Sequence, residues 1–290
     1  MNNEYTVATL ASSALIVNLS ISVWTGRKLD KNVSKEIDGA KHTKTRAGNY
    51  HKNLFAGSAS LERVNKIAGE VRTWHYLMTQ PWGDNGDRIV SIKILPEYRA
   101  QLGEFEERFV EAVNEFLSEY DTLVGAAAFS LGDLFNRDDY PSRDVIEDKF
   151  GFKYNFAPLP TAGDFRVDIS MQGLEELQEQ YTNATQTRIE GVMRDAWERV
   201  HNVLSRMSDR LTDDTDGKHK IFRDSLIENA LEVCNLLRYF NYTNDLELSN
   251  VRERLEQTLR GVDADMLRED PIARGHVKSE VDKLLDKFSL

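Results

Sequence analysis

Eight cationic side chains are concentrated in a short stretch near the start of a chain that is acidic as a whole. They face only three acids, Asp30, Glu36 and Asp38, a local excess of five positive charges in a protein whose formal net charge is −11. The cations are Arg27, Lys28, Lys31, Lys35, Lys41, Lys44, Arg46 and Lys52. Because lysine and arginine release counterions from phosphates, this basic stretch, residues 27–52, predicts an anionic partner.

Aromatic residues lie beside the basic stretch and would add stacking to phosphate contacts. Trp24 precedes it, Tyr50 and Phe55 lie at its end, and Trp82 follows the next helical segment. Exposed aromatic faces stack on unpaired bases, so the combination suits a single strand better than a duplex groove. We predict a single-stranded DNA or RNA site in which Tyr50 and Trp82 stack on bases. The alternative is that Trp74 and Trp82 are core residues and that the lysines only solubilise a loop.

Other chemistries find little support in the sequence. The chain contains no phosphate-binding glycine loop, no His-Glu-x-x-His pair and no Gly-x-Ser-x-Gly, and its six histidines are scattered. The segment from Asp214 to Gly217 resembles part of a calcium loop, but Arg223 occupies the position that needs a bidentate glutamate. We therefore predict that the protein is not an enzyme and holds no metal or cofactor.

The single cysteine and the N-terminal segment predict a cytoplasmic protein that does not enter a membrane. Cys234 has no partner for an intrachain disulfide, and its apolar neighbours predict a core position. The apolar run from Val7 to Trp24 contains Asn18 and four serines, and no lysine or arginine precedes it. A signal peptide would need a positive start and a longer apolar centre.

The elements around the basic stretch follow from the spacing of apolar residues. Alternation over residues 17–24 predicts a strand that leads into the basic stretch, and residues 41–57 are expected to form a flexible arm or loop. Apolar residues three or four apart predict one helix over 60–78 and a second from Pro96 to Ala127. Between residues 97 and 124 the second helix carries eight acids and two arginines. This face is expected to be solvated, to repel nucleic acid or to pair with the basic arm.

The remaining residues predict short strands followed by helices. Strands are predicted over 152–156 and 165–169, with a short helix after Pro141. Helical spacing runs from Leu174 to Leu211, breaks at 212–217, and resumes over 221–240, 246–262 and 277–288. The predicted fold is mainly α with a small antiparallel β-sheet, an α+β class whose long antiparallel helices form a helical hairpin or coiled coil. Its predicted regions are 1–170 and 171–290, packed separately or as one domain.

Several junction motifs resemble those of a family of uncharacterised tailed-phage proteins. The motifs are Gln80-Pro81-Trp82-Gly83-Asp84-Asn85-Gly86-Asp87-Arg88, Leu131-Gly132-Asp133-Leu134-Phe135, Tyr140-Pro141-Ser142, Lys149-Phe150, Pro158-Leu159-Pro160 and Gly163-Asp164-Phe165. The likeness extends from about Leu15 to Arg210. The family has no established activity, so the resemblance transfers no catalytic residue. Gene neighbourhoods with AAA+ ATPases or DNA-metabolism genes imply an early role in genome handling or host interaction.

Two hypotheses follow from the sequence. The first is a non-enzymatic, phage-type protein that binds single-stranded DNA or RNA and acts as a homo-oligomer, since long amphipathic helices bury their stripes against copies of themselves. The second is an oligomeric structural or interaction protein, either a scaffold or an adaptor or inhibitor of a host protein or AAA+ ATPase. In that case the basic arm would dock on an acidic protein surface.

Overall fold

The computed structural model describes residues 10–83, 85–160, 171–212 and 220–288, and helices dominate them. The α-helices are α1 (Lys31–Ala40), α2 (Ala59–Met78), α3 (Leu95–Leu131), α4 (Arg143–Glu147), α5 (Met171–Leu211), α6 (Ser225–Phe240), α7 (Leu246–Thr258), α8 (Ala264–Glu269) and α9 (Pro271–Leu285). The strands are β1 (Ala14–Ser22), β2 (Arg27–Leu29), β3 (His51–Asn53), β4 (Gln80–Pro81), β5 (Arg88–Ser91) and β6 (Gly151–Pro158). The predicted α+β class is confirmed.

Strand β1 is central to a small antiparallel sheet whose order is β4-β5-β1-β6. Ala14 and Val17 of β1 are fully buried, and because side chains alternate along a strand, these two lie on opposite faces of the sheet. Strands β2 and β3 form a separate antiparallel pair in which Lys28 lies opposite Lys52. The predicted strands near residues 17–24 and 152–156 are confirmed, whereas the one predicted over 165–169 lies outside the described residues.

The chain divides into two compact units that do not follow the sequence boundary at residue 170. Unit 1 comprises Met1–Asn18, Leu77–Pro96 and Phe156–Leu290, and unit 2 comprises Leu19–Tyr76 and Glu97–Asn155. Residues 77–96 group with the C-terminal helices because β4 packs on α5. The Gln80 side chain makes this contact by donating from Nε2 to the Val192 carbonyl at 2.8 Å. A contact between segments so distant in sequence is not visible in local composition.

In unit 1, helix α5 packs against α6 and α9. The buried stripe of α5 occupies its C-terminal half, where Ala196, Val200, Leu204 and Met207 are all fully buried at helical spacing. Helices α6 and α9 thus cover this part of the stripe, and the coiled coil stays a prediction. Cys234 lies in the same core and is 1% exposed, so its predicted core position is confirmed.

In unit 2, helices α2 and α3 supply the apolar core predicted from their spacing. Tyr98, Leu102 and Phe116 of α3 are fully buried. The acidic outer face of α3 is partly neutralised from α2, since Arg63 pairs with Glu111 and Glu115. Pairing of this face with the basic arm is not seen among the described residues, where the ion pairs of the basic stretch involve other acids.

The predicted flexible arm or loop over residues 41–57 is corrected in part, because strand β3 occupies residues 51–53, and the basic stretch also contains a helix that was not predicted. Residues 31–40 form helix α1, and the stretch is framed by the paired strands β2 and β3. A helix forms here because Asp30 supplies a strong N-cap, its Oδ1 accepting from the amides of Asn32 and Val33. Only residues 41–50, between α1 and β3, remain irregular.

Candidate nucleic-acid interface

A local hydrogen-bond network ties the irregular segment 41–50 back to α1. The amide of Tyr50 donates to Ser34 Oγ at 2.9 Å, and the amide of Asp30 donates to the Tyr50 carbonyl at 2.9 Å. The hydrogen bond from the Val33 amide, with further help from the Lys52 ammonium, holds the pKa of Asp30 below its usual value. The segment therefore begins and ends at fixed points on α1, and the cations it carries are displayed on a folded support.

Lys52, on β3, is turned inward. Only 5% of the residue is exposed, and its Nζ lies 2.6 Å from Asp139 Oδ2 and 3.5 Å from Asp30 Oδ2. The same ammonium donates to the Leu134 carbonyl at 2.7 Å. Lys28, its partner across the strands, approaches Asp139 at 4.0 Å but stays half exposed. The predicted phosphate contact from Lys52 is thus replaced in this structure by an internal ion pair, because the long-range fold brings carboxylates to it.

Six of the eight predicted cations are exposed and form no ion pair with any residue in the described part of the chain. We call them the free basic surface: Arg27, Lys31, Lys35, Lys41, Lys44 and Arg46. Lys31 and Lys35 lie one turn apart on α1, so their charges project from neighbouring positions. Glu36 and Asp38 are the acids interspersed among these residues, and the surface keeps a positive excess.

A pocket of about 280 Å³ opens within this surface, between α1 and segment 41–50. Ile37 and Asp38 line it from α1, and Lys41, Asn49 and Tyr50 line it from the segment. Asp38 holds the segment in place, since its carbonyl accepts from the Thr43 amide and its Oδ1 from the Ala47 amide. Ile37 is 47% exposed and gives the pocket an apolar side chain. The pocket therefore offers apolar and amide groups directly beside free cations.

Trp82 is not available for stacking in this structure. Its indole is 5% exposed and packs with Leu10, Ile89 and Val192 in a core cluster of unit 1. The Arg188 guanidinium lies 5.8 Å from the ring centroid. Trp82 therefore occupies a core position, which is the alternative interpretation stated from the sequence.

The other tryptophans near the basic stretch also belong to packed aromatic groups. Trp24 packs against Phe55 and Tyr120 in unit 2, at centroid distances of 5.6 and 6.2 Å. Trp74 stacks on Tyr98 at 4.8 Å. Tyr50, which is half-buried and lines the pocket, is the predicted stacking residue that lies at the free basic surface. The sequence carries no specific signal for the pocket, since Ile37 follows Val33 at ordinary helical spacing.

Tyr140 lies beneath the β2–β3 pair and provides a pH-dependent test of its packing. Its hydroxyl donates to the Leu54 carbonyl at 3.2 Å, and burial, reinforced by the Asp139 carboxylate, raises its pKa to about 12. Because the folded pKa exceeds the ordinary value, the neutral phenol stabilises the fold up to about pH 10, and this contribution is lost as pH rises toward 12. We expect spectrophotometric titration to show a tyrosine ionising near pH 12 that disappears in Tyr140→Phe. If Tyr140→Phe instead removes a tyrosine that ionises near pH 10, this assignment is wrong.

The described parts of the chain give little support for a metal site, a membrane-spanning helix or a reactive cysteine. Within them, no three His, Cys, Asp or Glu side chains converge so as to hold a metal ion. No helix there is both long and apolar enough to cross a membrane. Burial raises the pKa of the Cys234 thiol to about 11, which disfavours the nucleophilic thiolate at neutral pH.

Comparisons with family models, with curated proteins and with solved structures gave no match to this chain.

Proposed function

We propose that the protein binds single-stranded nucleic acid through the free basic surface, with an unpaired base entering the pocket between α1 and segment 41–50. The observation that carries this proposal is the pocket itself, because it places an apolar side chain and a tyrosine beside unpaired cations. Cations alone would serve any polyanion, whereas a flanking pocket for a planar group favours a strand whose bases are unstacked. The proposal keeps the non-enzymatic, phage-type and oligomeric character expected from the sequence.

The contacts divide into two kinds. Lys41, Lys44 and Arg46 lie at or near the mouth of the pocket and would neutralise phosphates, while Tyr50 and Ile37 would contact the base. Phosphate contacts supply affinity without sequence preference, and the base contact supplies the preference for a single strand. Lys52 and Trp82, which the sequence placed among the contacts, are not included because both are buried.

The phosphate contacts can be tested by removing three charges together. We expect Lys41→Gln/Lys44→Gln/Arg46→Gln to weaken binding of a single-stranded oligothymidylate by roughly tenfold or more at low salt, measured by fluorescence anisotropy. The slope of log affinity against log salt should fall in magnitude by about 2, since each contact to a single strand contributes about 0.7. The matched control is Lys66→Gln/Lys149→Gln/Lys153→Gln, which removes three exposed charges from the same unit. Equal losses in the two triple variants would refute the proposed surface.

The base contact needs a separate variant. Tyr50→Leu should weaken single-strand binding by roughly tenfold and leave the salt slope unchanged, because stacking on one base contributes about 1–3 kcal/mol. Tyr50→Phe retains the ring and should bind almost as the parent does. The hydrogen bonds of Tyr50 with Ser34 and Asp30 use its backbone, so these side-chain changes leave the end of segment 41–50 bonded to α1 and its N-cap.

The alternative function, docking on an acidic protein surface, makes opposite predictions in the same assay. The ion pairs of Lys52 and of the half-exposed Lys28 with Asp139 support this alternative, because both cations already face a carboxylate within the protein. A docking protein would bind polyglutamate as tightly as the oligonucleotide and would be insensitive to Tyr50→Leu. Light scattering on the free protein tests the expected oligomer under either function.

A further inference from the structure

Unit 1 contains a second cationic cavity, far from the basic stretch in sequence. It lies between the C-terminal half of α5 and the start of α6 and has a volume of about 430 Å³. Arg206, Arg210 and Arg223 line it, and Val203 and Phe222 supply apolar wall. Ile221, which is 90% exposed, stands at the same cavity. Three guanidinium groups and an apolar wall thus share one concave site.

The charges of these arginines are poorly compensated within the described residues. Arg206 and Arg223 form no ion pair there, and the Arg210 Nε lies 3.7 Å from Asp209 Oδ2. Asp209 is itself shared with Lys220, whose Nζ approaches its Oδ1 at 2.7 Å. All three arginines are exposed, so solvent screens their mutual repulsion, and a bound anion would gain mainly by pairing with their guanidinium groups.

The start of α6 also lies at the cavity, and its first turn carries the acid Glu228. Ser225 and Leu226, the first residues of this 16-residue helix, line the cavity. The preceding Asp224 makes no side-chain cap, because its carboxylate is engaged by Arg268. The positive end of the helix dipole is therefore not capped by a carboxylate from its own N-cap residue.

We propose that this cavity binds a small phosphate monoester whose organic part is apolar or aromatic. A phosphate dianion carries enough charge and enough acceptor oxygens for two or three guanidinium groups, which bind such oxygens in bidentate geometry. The volume falls within the range of small-ligand sites, and Ile221 and Val203 would contact the organic part. A carboxylate with a single charge would pair with fewer of the guanidinium groups. The site is independent of the proposed nucleic-acid surface and involves none of its residues.

Isothermal titration calorimetry with phenyl phosphate tests the proposal. We expect saturable binding that is tighter than for inorganic phosphate or benzoate and that weakens as pH falls below about 6, where the phosphate becomes a monoanion. Arg206→Gln and Arg223→Gln should each lower the affinity roughly tenfold, equivalent to about 1.4 kcal/mol. Arg194→Gln is the matched control, an exposed arginine on α5 outside the cavity, and should bind within about twofold of the parent.

Further variants distinguish binding at this cavity from binding at the free basic surface, and distinguish a lost contact from a misfolded protein. Arg206→Lys retains the charge and should recover part of the affinity, and thermal unfolding verifies that each variant is folded. The triple variant of the free basic surface should bind phenyl phosphate as the parent does. Absence of saturable binding, equal affinity in the cavity variants and in Arg194→Gln, or loss of binding only in the basic-surface triple would each overturn the proposal.

Discussion

Replacing Lys52 by methionine should destabilise unit 2 by about 3 kcal/mol, the magnitude typical of removing one partner of a buried ion pair. Methionine retains the apolar stem but removes the ammonium that contacts Asp139 and Asp30, whose side chains are only 11% and 16% exposed. Two carboxylates would then remain in a partly desolvated site without their shared cation. Urea unfolding measures the loss, and hydrogen exchange locates it at β2, α1 and β3.

A double-variant cycle distinguishes the ion pair from lost packing. Asp139→Asn introduced together with Lys52→Met should recover part of the stability, since the neutral amide removes one uncompensated charge. Lys66→Met makes the same chemical change at an exposed lysine and should alter stability by no more than about 0.5 kcal/mol. If Lys52→Met behaves like this control, the internal ion pair does not hold the free basic surface in place. We also expect Lys52→Met to weaken nucleic-acid binding although Lys52 makes no contact with the ligand.

Replacing Arg274 by methionine should destabilise unit 1 by about 3 kcal/mol. Charge-assisted hydrogen bonds contribute about 1.5–3 kcal/mol, and the carbonyl oxygens that lose their donor add to the loss of stability. Arg274 is 3% exposed, and its guanidinium donates to the carbonyls of Arg210 and Leu211 at 3.0 and 3.2 Å. These carbonyls belong to the last turn of α5, where the helix dipole favours a positive charge. The guanidinium also lies 5.5 Å from the ring centroid of Phe222.

The conservative substitution tests the geometry of this interaction. Arg274→Lys keeps the charge but loses the planar fork that reaches several carbonyls, so its stability should fall between those of the parent and Arg274→Met. Arg194→Met changes an exposed arginine of α5 and should have an effect of at most about 0.5 kcal/mol on urea unfolding. Equal stabilities for Arg274→Met and Arg194→Met would refute the assigned role. Because Arg274 supports Phe222, Arg274→Met should also weaken phenyl phosphate binding.

Local pattern was sufficient for most of the helices and strands. Apolar residues at three- and four-residue spacing located α2 and α3, and alternation located β1, because each pattern reflects the period of the element itself. Local pattern was not sufficient for α1, because its sequence is mostly polar and its start depends on the N-cap residue Asp30. The grouping of residues 77–96 with unit 1 depends on contacts such as that of Gln80 with α5, which no local period encodes.

The sequence by itself determined that eight cations are concentrated between Arg27 and Lys52. Only the tertiary structure decided which of them are free, because the carboxylate that neutralises Lys52 comes from Asp139, distant along the chain. The same holds for Trp82, whose burial depends on packing against remote apolar residues, and for the pocket at Ile37, which exists only where segment 41–50 folds back on α1. Residue type fixes charge and polarity, whereas exposure and pairing are properties of the folded arrangement.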